Sequence, residues 1–186
     1  GSVGLGGCGG TAPVSNDPPA PETVAPPSVS SPAQESAVVR PTSAAVEQLI
    51  DQTLRSTQDI AHSDILDLLG HPLRTTHRAV ANAYATGQID TVRTLYYPAL
   101  QAQVYTRSHD ARSFLIQIRV LAPFYTTPSG LRVGMERAAV RQQMGAPQRV
   151  ENEVWVYENV EQDAADLRLA WTNDRVSAIT YVFHFS

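Results

Sequence analysis

The chain has 186 residues, a formal net charge of −4 at pH 7 and 42% hydrophobic residues, which suits one ordinary globular domain. All 14 basic residues are arginines, and they do not cluster, so a groove that binds nucleic acid is not expected. No window approaches 18 consecutive apolar residues, so a transmembrane helix is not expected either. The single cysteine excludes an internal disulfide and a thiolate-rich zinc site.

The first 43 residues differ in composition from the rest of the chain. They hold 8 of the 13 prolines and 6 of the 11 glycines, and they lack every aromatic residue. Such a segment cannot bury enough apolar surface to offset the entropy lost on ordering. Residues 1–43 are therefore predicted to be a disordered tether, and the folded body is expected over residues 44–186.

A short motif stands at the head of this tether. Leu5-Gly6-Gly7-Cys8 places a lone cysteine among small residues, which is similar to the lipobox of bacterial lipoproteins. The resemblance implies that Leu5 to Gly7 end a signal peptide and that Cys8 is lipidated. It also implies a periplasm-facing lipoprotein of the bacterial outer membrane, since Gly9 rather than an aspartate follows the cysteine. The alternative is an accidental cysteine in a flexible tail.

Hydrophobic periodicity predicts three helices before the first strand. Apolar residues at 3–4-residue spacing indicate helices over 44–61 and Ser63–Leu69, and a third is expected from Thr75 or Thr76 to Gly87. The period then changes to two, which is typical of strands. The predicted strands are Thr94–Tyr97, Leu100–Thr106 and Phe114–Val120.

The last third of the chain has a clearer pattern. A short helix over Glu136–Met144 is ended by Gly145, and Pro147 prevents its continuation. A helix followed by an antiparallel meander is the simplest arrangement, so the predicted fold class is α+β, with short helices packed on three-stranded meanders. The predicted strands of this meander are Glu153–Tyr157, Leu167–Trp171 and Val176–Phe183.

The segment from Gly134 to Pro147 carries a longer motif. Its residues GMERAAVRQQMGAP resemble the pattern GM-x-x-x-x-V-x-x-x-x-G-x-P of the BamE (SmpA/OmlA) outer-membrane lipoproteins, although Glu136 stands where that family usually has Thr or Ser. Trp155-x-Tyr157 also fits the family pattern. The resemblance covers about residues 131–184 and implies that residues 129–186 form a BamE-like unit. It further implies an accessory subunit of β-barrel assembly.

The region 44–128 leaves two interpretations open. If Gly70 is aligned with Gly145, Ser63–Pro72 superimposes without gaps on Ala138–Pro147, and three predicted strands follow each segment. The region is then either a first copy of the helix-meander unit or an unrelated helical preface. Two tandem copies would be similar to the β-lactamase inhibitory protein, in which a concave sheet binds an enzyme. That resemblance implies an adaptor or inhibitor in a secretion or cell-wall complex.

No pattern in the sequence predicts catalysis. The histidines lack the spacing of a helical metal site, and Ser108-His109-Asp110 are consecutive, so their side chains diverge rather than form a triad. The carboxylates between Glu151 and Asp166 lack the ordered spacing of a calcium loop. We therefore expect a non-catalytic protein with no metal, no cofactor and no small-molecule substrate. A hydrolase with a site assembled from distant residues is the remaining alternative.

The aromatic residues indicate where a partner protein would bind. They lie in or beside predicted strands, and alternation sends neighbours such as Tyr96 and Tyr97 to opposite faces of a sheet. If helices cover one face only, some rings stay exposed as anchors for a partner, although a small core that needs every ring is the alternative. The predicted partner is an envelope protein complex, not nucleic acid. The predicted partner-binding residues are Tyr96, Tyr97, Trp155 and Tyr157.

Overall fold

The structure is a computed structural model that describes residues 9–10, 40–56 and 59–185. Its helices and strands all belong to one compact unit, Ser36–Ser186. Cys8 and most of the predicted tether lie outside the described residues, and so does the lipobox-like motif as a whole.

Eight antiparallel strands form one sheet in the order β1-β2-β3-β4-β8-β7-β6-β5. The strands nearest the centre, β4 and β8, pair from Gln117 with Val182 to Val120 with Ile179, and this pairing joins the two halves of the chain. A domain boundary at 128/129 therefore falls in the connection between strands of one continuous sheet. The strands are β1 Arg74–Ala81, β2 Ile89–Tyr97, β3 Leu100–Thr106, β4 Ser113–Val120, β5 Arg149–Glu151, β6 Val154–Asn159, β7 Ala165–Thr172 and β8 Arg175–Phe183.

Three helices of at least two turns cover one face of this sheet: α1 Ser43–Arg55, α2 His62–Leu69 and α3 Arg137–Met144. A single turn, α4 Val160–Asp163, connects β6 to β7. α1 begins after Thr42, whose hydroxyl accepts a hydrogen bond from the Ala45 amide at 3.1 Å. Each helix turns apolar side chains toward the sheet, and these share one core with residues from six of the strands, β2–β4 and β6–β8. The buried helix residues are Val46, Leu49, Ile50 and Leu54 on α1, Ile65 and Leu69 on α2, and Val140 on α3.

The predicted fold class is wrong. The protein is mainly an eight-stranded antiparallel sheet carrying a few short helices, not a set of helices on three-stranded meanders. The expected third helix is instead strand β1, all of which pairs with β2. Thr75, Thr76 and Val80 are β-branched and favour extended backbone. The helix is predicted from the spacing of Ala79, Val80, Ala83 and Tyr84, but alanine side chains bury too little apolar surface to outweigh this pairing.

The number of strands in each half is also corrected. α2 is followed by β1–β4 and α3 by β5–β8, so each half has four strands rather than three. β5 has only three residues, which is too short for alternation to show in the sequence. β2 begins at Ile89, five residues before its predicted start, because polar residues such as Asp90 hide the alternation at its beginning.

Both halves end their helix in the same way. Gly70 ends α2 at φ 79°, ψ −174°, and Gly145 ends α3 at φ 79°, ψ −166°. The Tyr97 hydroxyl donates to the Gly70 carbonyl at 2.8 Å, and the Tyr157 hydroxyl donates to the Gly145 carbonyl at 2.9 Å. This backbone region is essentially restricted to glycine. Gly145 and the buried Val140 of the BamE-like motif therefore each have a structural role in this fold.

Gly145→Ala is expected to lower the free energy of unfolding by about 1–3 kcal/mol. A Cβ at this position would meet no atom within 4 Å, so the whole cost is backbone strain at φ 79°. Urea unfolding followed by circular dichroism measures the change. Gly10→Ala is the matched control, because Gly10 has equally open surroundings and no left-handed φ. Equal unfolding midpoints for the two variants would contradict this account of the helix end.

Candidate functional site

The face of the sheet opposite the helices is the candidate functional site, and we call it the helix-free face. Residues that pair directly across neighbouring strands point to the same face of a sheet. A single row of such pairs crosses all eight strands on this face. In sheet order the row is Arg74, Tyr96, Gln101, Arg119, Thr180, Arg168, Val156 and Arg149.

The β1–β4 half of the helix-free face is cationic. It carries Arg74, Arg78 and Arg119, and its one carboxylate, Asp90, is buried at the far end. The Arg74 guanidinium lies 4.0 Å from the centroid of the Tyr96 ring. Within the described residues, Arg78 and Arg119 form no ion pair or hydrogen bond. Their charges are therefore left for groups outside the fold.

The β5–β8 half of the same face neutralises its own arginines. Arg149 lies 2.8 Å from a Glu151 carboxylate oxygen and 2.7 Å from a Glu158 oxygen. Arg168 lies 3.4 Å from the other Glu151 oxygen. Val156, in register between the two arginines, is buried although no helix covers this face. The two halves of the helix-free face thus differ in free charge.

A cavity of about 550 Å³ lies at one end of the cationic half, and we call it the aromatic cleft. The Phe185 ring stacks on the Phe114 ring with centroids 5.2 Å apart, and it lies 5.6 Å from the Tyr105 ring. Phe185 is 44% exposed and Tyr84 is fully exposed. The cleft therefore has an apolar floor and a rim of accessible aromatic rings. Its larger apolar and aromatic lining residues are Val80, Tyr84, Val92, Tyr105, Phe114 and Phe185.

A buried carboxylate fixes the turns on either side of the cleft. Asp90 accepts hydrogen bonds from the Tyr105 hydroxyl, from Asn82 Nδ2 and Gln88 Nε2 at 2.7 Å each, and from the Ser108 amide at 2.9 Å. Burial acts to raise the pKa of Asp90, but these bonds outweigh it and hold the pKa below the ordinary 3.8. Burial and the bond to Asp90 raise the pKa of Tyr105 to about 12. Asp90 is therefore an ionised structural group at neutral pH.

Only one of the four predicted partner-binding residues lies on the helix-free face. Tyr96 is half-buried there. Tyr97, Trp155 and Tyr157 point into the core and are 5%, 7% and 3% exposed. Their burial leaves little of these three side chains for a partner to contact. Alternation correctly separates Tyr96 from Tyr97, but it does not say which face the helices cover.

Sequence reasoning missed the residues that form the cleft. Tyr105 and Phe114 pair directly across the β3–β4 hairpin, at equal distances from its turn. A hairpin register centred between His109 and Asp110 pairs them. Phe185 gives no such signal, because it lies beyond the end of β8 and reaches the cleft only through the tertiary fold.

The titratable groups near the cleft make local contacts with their neighbours. His109 Nε2 lies 3.3 Å from Asp110 Oδ2, and its Nδ1 lies 3.3 Å from Gln88 Nε2. The contact that Ser108 makes here comes from its backbone amide. In the described part of the chain, no three His, Cys, Asp or Glu side chains gather as metal ligands do.

Among the helices that the structure describes, none has the length and apolar character to cross a membrane.

Comparison with known proteins finds little similarity. The chain matches no protein-family model and no curated protein sequence. A matching solved structure is that of the uncharacterized protein YfeY from Escherichia coli, with 14% identity and a TM-score of 0.41. The match covers 67% of this chain and 90% of that chain. The fold described above therefore rests on the strand pairing of this chain alone.

Asp90→Asn is expected to lower the melting temperature by several degrees. In the wild-type protein Asn82, Gln88 and Tyr105 all donate to the Asp90 carboxylate. The substitution replaces one acceptor oxygen with an NH2 group, which is itself a donor, so at least one buried hydrogen bond is lost. Thermal unfolding at pH 7, followed by circular dichroism, measures the effect. Asp67→Asn, an exposed position on α2, is the control and should leave the melting temperature unchanged. Equal melting temperatures for the two variants would contradict the structural role of Asp90.

The same pair of variants gives a pH prediction. The pKa of Asp90 is lower in the folded protein than its ordinary value of 3.8. The ionised carboxylate therefore stabilises the fold fully above pH 3.8, and this stabilisation is lost as the pH falls through the pKa of the folded state. The difference in melting temperature between wild type and Asp90→Asn should therefore shrink below pH 4. A gap that widens on acidification would show that the sign of the shift is wrong.

Proposed function

We propose that this protein is a lipid-anchored, non-catalytic envelope protein that binds another protein through the helix-free face. The observation that carries the proposal is that α1, α2 and α3 pack on the opposite face, which leaves this face of the sheet without a helix. Tyr96, Arg78 and Arg119 lie on it, and tyrosine and arginine are enriched at protein interfaces.

The charge of the face favours an acidic partner surface. Arg78 and Arg119 have no counterion among the described residues, whereas Arg149 and Arg168 are already paired with Glu151. Complementary charge steers association and fixes the docking orientation. We expect the acidic part of the partner to face β1–β4 and its neutral polar part to face β5–β8.

The sequence supports two assemblies as the source of this partner. The BamE-like motif over Gly134 to Pro147 favours an accessory role in outer-membrane β-barrel assembly. The broad uncovered sheet favours an adaptor or inhibitor in a secretion or cell-wall complex. The identity of the captured partner separates these two roles.

Arg119→Glu is expected to reduce recovery of the partner about tenfold or more, because it places a carboxylate against an acidic surface. Crosslinking of the lipidated protein in native envelopes, followed by quantitative mass spectrometry, measures the recovery. Arg141→Glu is the control, since it makes the same charge change at an exposed position on α3, on the helix side. Equal loss, or no loss, with both variants would contradict binding through the helix-free face.

Cys8→Ser is expected to move the protein from the membrane fraction to the soluble fraction. Lipid attached to Cys8, as the preceding Leu5-Gly6-Gly7 suggests, is the proposed anchor. The test places a bacterial lipoprotein signal peptide ahead of Leu5 and follows labelled palmitate and cell fractionation. Ser15→Ala in the same segment is the control. Palmitate labelling that persists in Cys8→Ser would contradict the proposed anchor.

A further inference from the structure

The floor of the aromatic cleft already holds a planar ring. Phe185 stacks on Phe114 with an angle of 18° between the ring planes, and Tyr105 flanks it at 5.6 Å. Phe114 is buried, whereas Phe185 remains 44% exposed and so fills the cleft only in part. The geometry of this stack shows that a phenyl ring fits the floor.

Phe185 is not fixed in place by the sheet. β8 ends at Phe183, and beyond it the His184 amide donates a backbone hydrogen bond to the Ala164 carbonyl at 2.9 Å. Within the described residues the Phe185 backbone makes no hydrogen bond. The ring can therefore leave the cleft without breaking any strand pairing.

The rim of the cleft favours an acidic neighbour beside the incoming ring. Arg78 on β1 is in direct register with Val92 on the cleft floor, and Val92 is in register with Tyr105. Arg78 does not line the cleft itself, but it is exposed on the strand next to the lining residue Val92 and has no ion pair among the described residues. Arg107, which does line the cleft, is paired with Asp110. Arg78 is therefore the nearby cation that is open to a carboxylate flanking the incoming ring.

We propose that the aromatic cleft binds an aromatic side chain of the partner polypeptide flanked by acidic residues, and that Phe185 is a resident competitor for the same place. This inference rests on the proposed function, because it names the part of the partner that enters this face. In the free protein the Phe185 ring occupies the cleft, and a partner ring must displace it before stacking on Phe114. The apparent affinity for the partner ring is therefore the intrinsic affinity multiplied by the fraction of molecules in which Phe185 has left the cleft.

The probe for this proposal is a blocked tripeptide with the sequence glutamate-phenylalanine-glutamate. Titration into the isotopically labelled protein is expected to shift the backbone amide resonances of Tyr84, Arg107 and Phe185, which line the cleft. Two peptides are controls, one with alanine in place of phenylalanine and one with lysine in place of both glutamates. Equal shifts with all three peptides, or no shifts at the cleft, would overturn the proposal.

Two variants test the role of Phe185. Phe185→Ala is expected to bind the tripeptide at least about threefold more tightly, because it removes the competitor. Phe124→Ala is the matched control, since Phe124 is 40% exposed and lies outside the cleft. Unchanged or weaker binding by Phe185→Ala would show that Phe185 is a wall of the site rather than an occupant, and would overturn the competition.

A third variant tests the acidic preference. Arg78→Glu is expected to weaken binding of the tripeptide about two- to fivefold, as for an exposed ion pair, while Arg141→Glu leaves it unchanged. Equal effects from the two variants would contradict the role of Arg78.

The peptide assay is independent of the proposed function. If partner capture depends on Arg119 but the tripeptide does not reach the cleft, the proposed function stands and this inference fails. If the tripeptide binds but no partner depends on Arg119, the cleft is a pocket for an aromatic group and the proposed function fails.

Discussion

The pairing of β4 with β8 is the contact on which the rest of the structure depends. Only four residue pairs, from Gln117–Val182 to Val120–Ile179, join the two four-stranded halves. Without them each half would expose a long central edge, which is a template for aggregation. With them, both halves share one core under the three helices and one continuous face on the other side. The helix-free face is thus a consequence of this pairing.

The sequence predicts the elements better than it predicts their assembly. β3 is found at its predicted bounds, and the helix ends at Gly70 and Gly145 follow from glycine chemistry that is visible in the sequence. β1 could not be recognised, because its edge position leaves both of its faces largely exposed and removes the apolar alternation that identifies a buried strand. Local periodicity therefore underestimates how much of this chain is sheet.

The same limit explains the candidate site. Alternation correctly sends Tyr96 and Tyr97 to opposite faces, but the choice between the faces is made by α1 and α2, which pack from elsewhere in the chain. Trp155 and Tyr157 were plausible anchors for the same reason, and both are needed in the core. The Phe114–Phe185 stack joins residues far apart in the sequence, so only the folded sheet brings it together.

The groups best suited to bind a partner are those that make no hydrogen bond or ion pair with the described residues of the fold. Asp90 and Tyr105 have the strongly shifted pKa values that often accompany catalysis, yet their hydrogen bonds are used to hold turns in place. By contrast, among the residues that the structure describes, Arg78 and Arg119 have no carboxylate partner, and the Phe185 backbone makes no hydrogen bond. Exposed arginines on the same face as a half-filled aromatic cleft are groups that can bind another surface. That contrast between the two kinds of group is the reason for proposing a binding role.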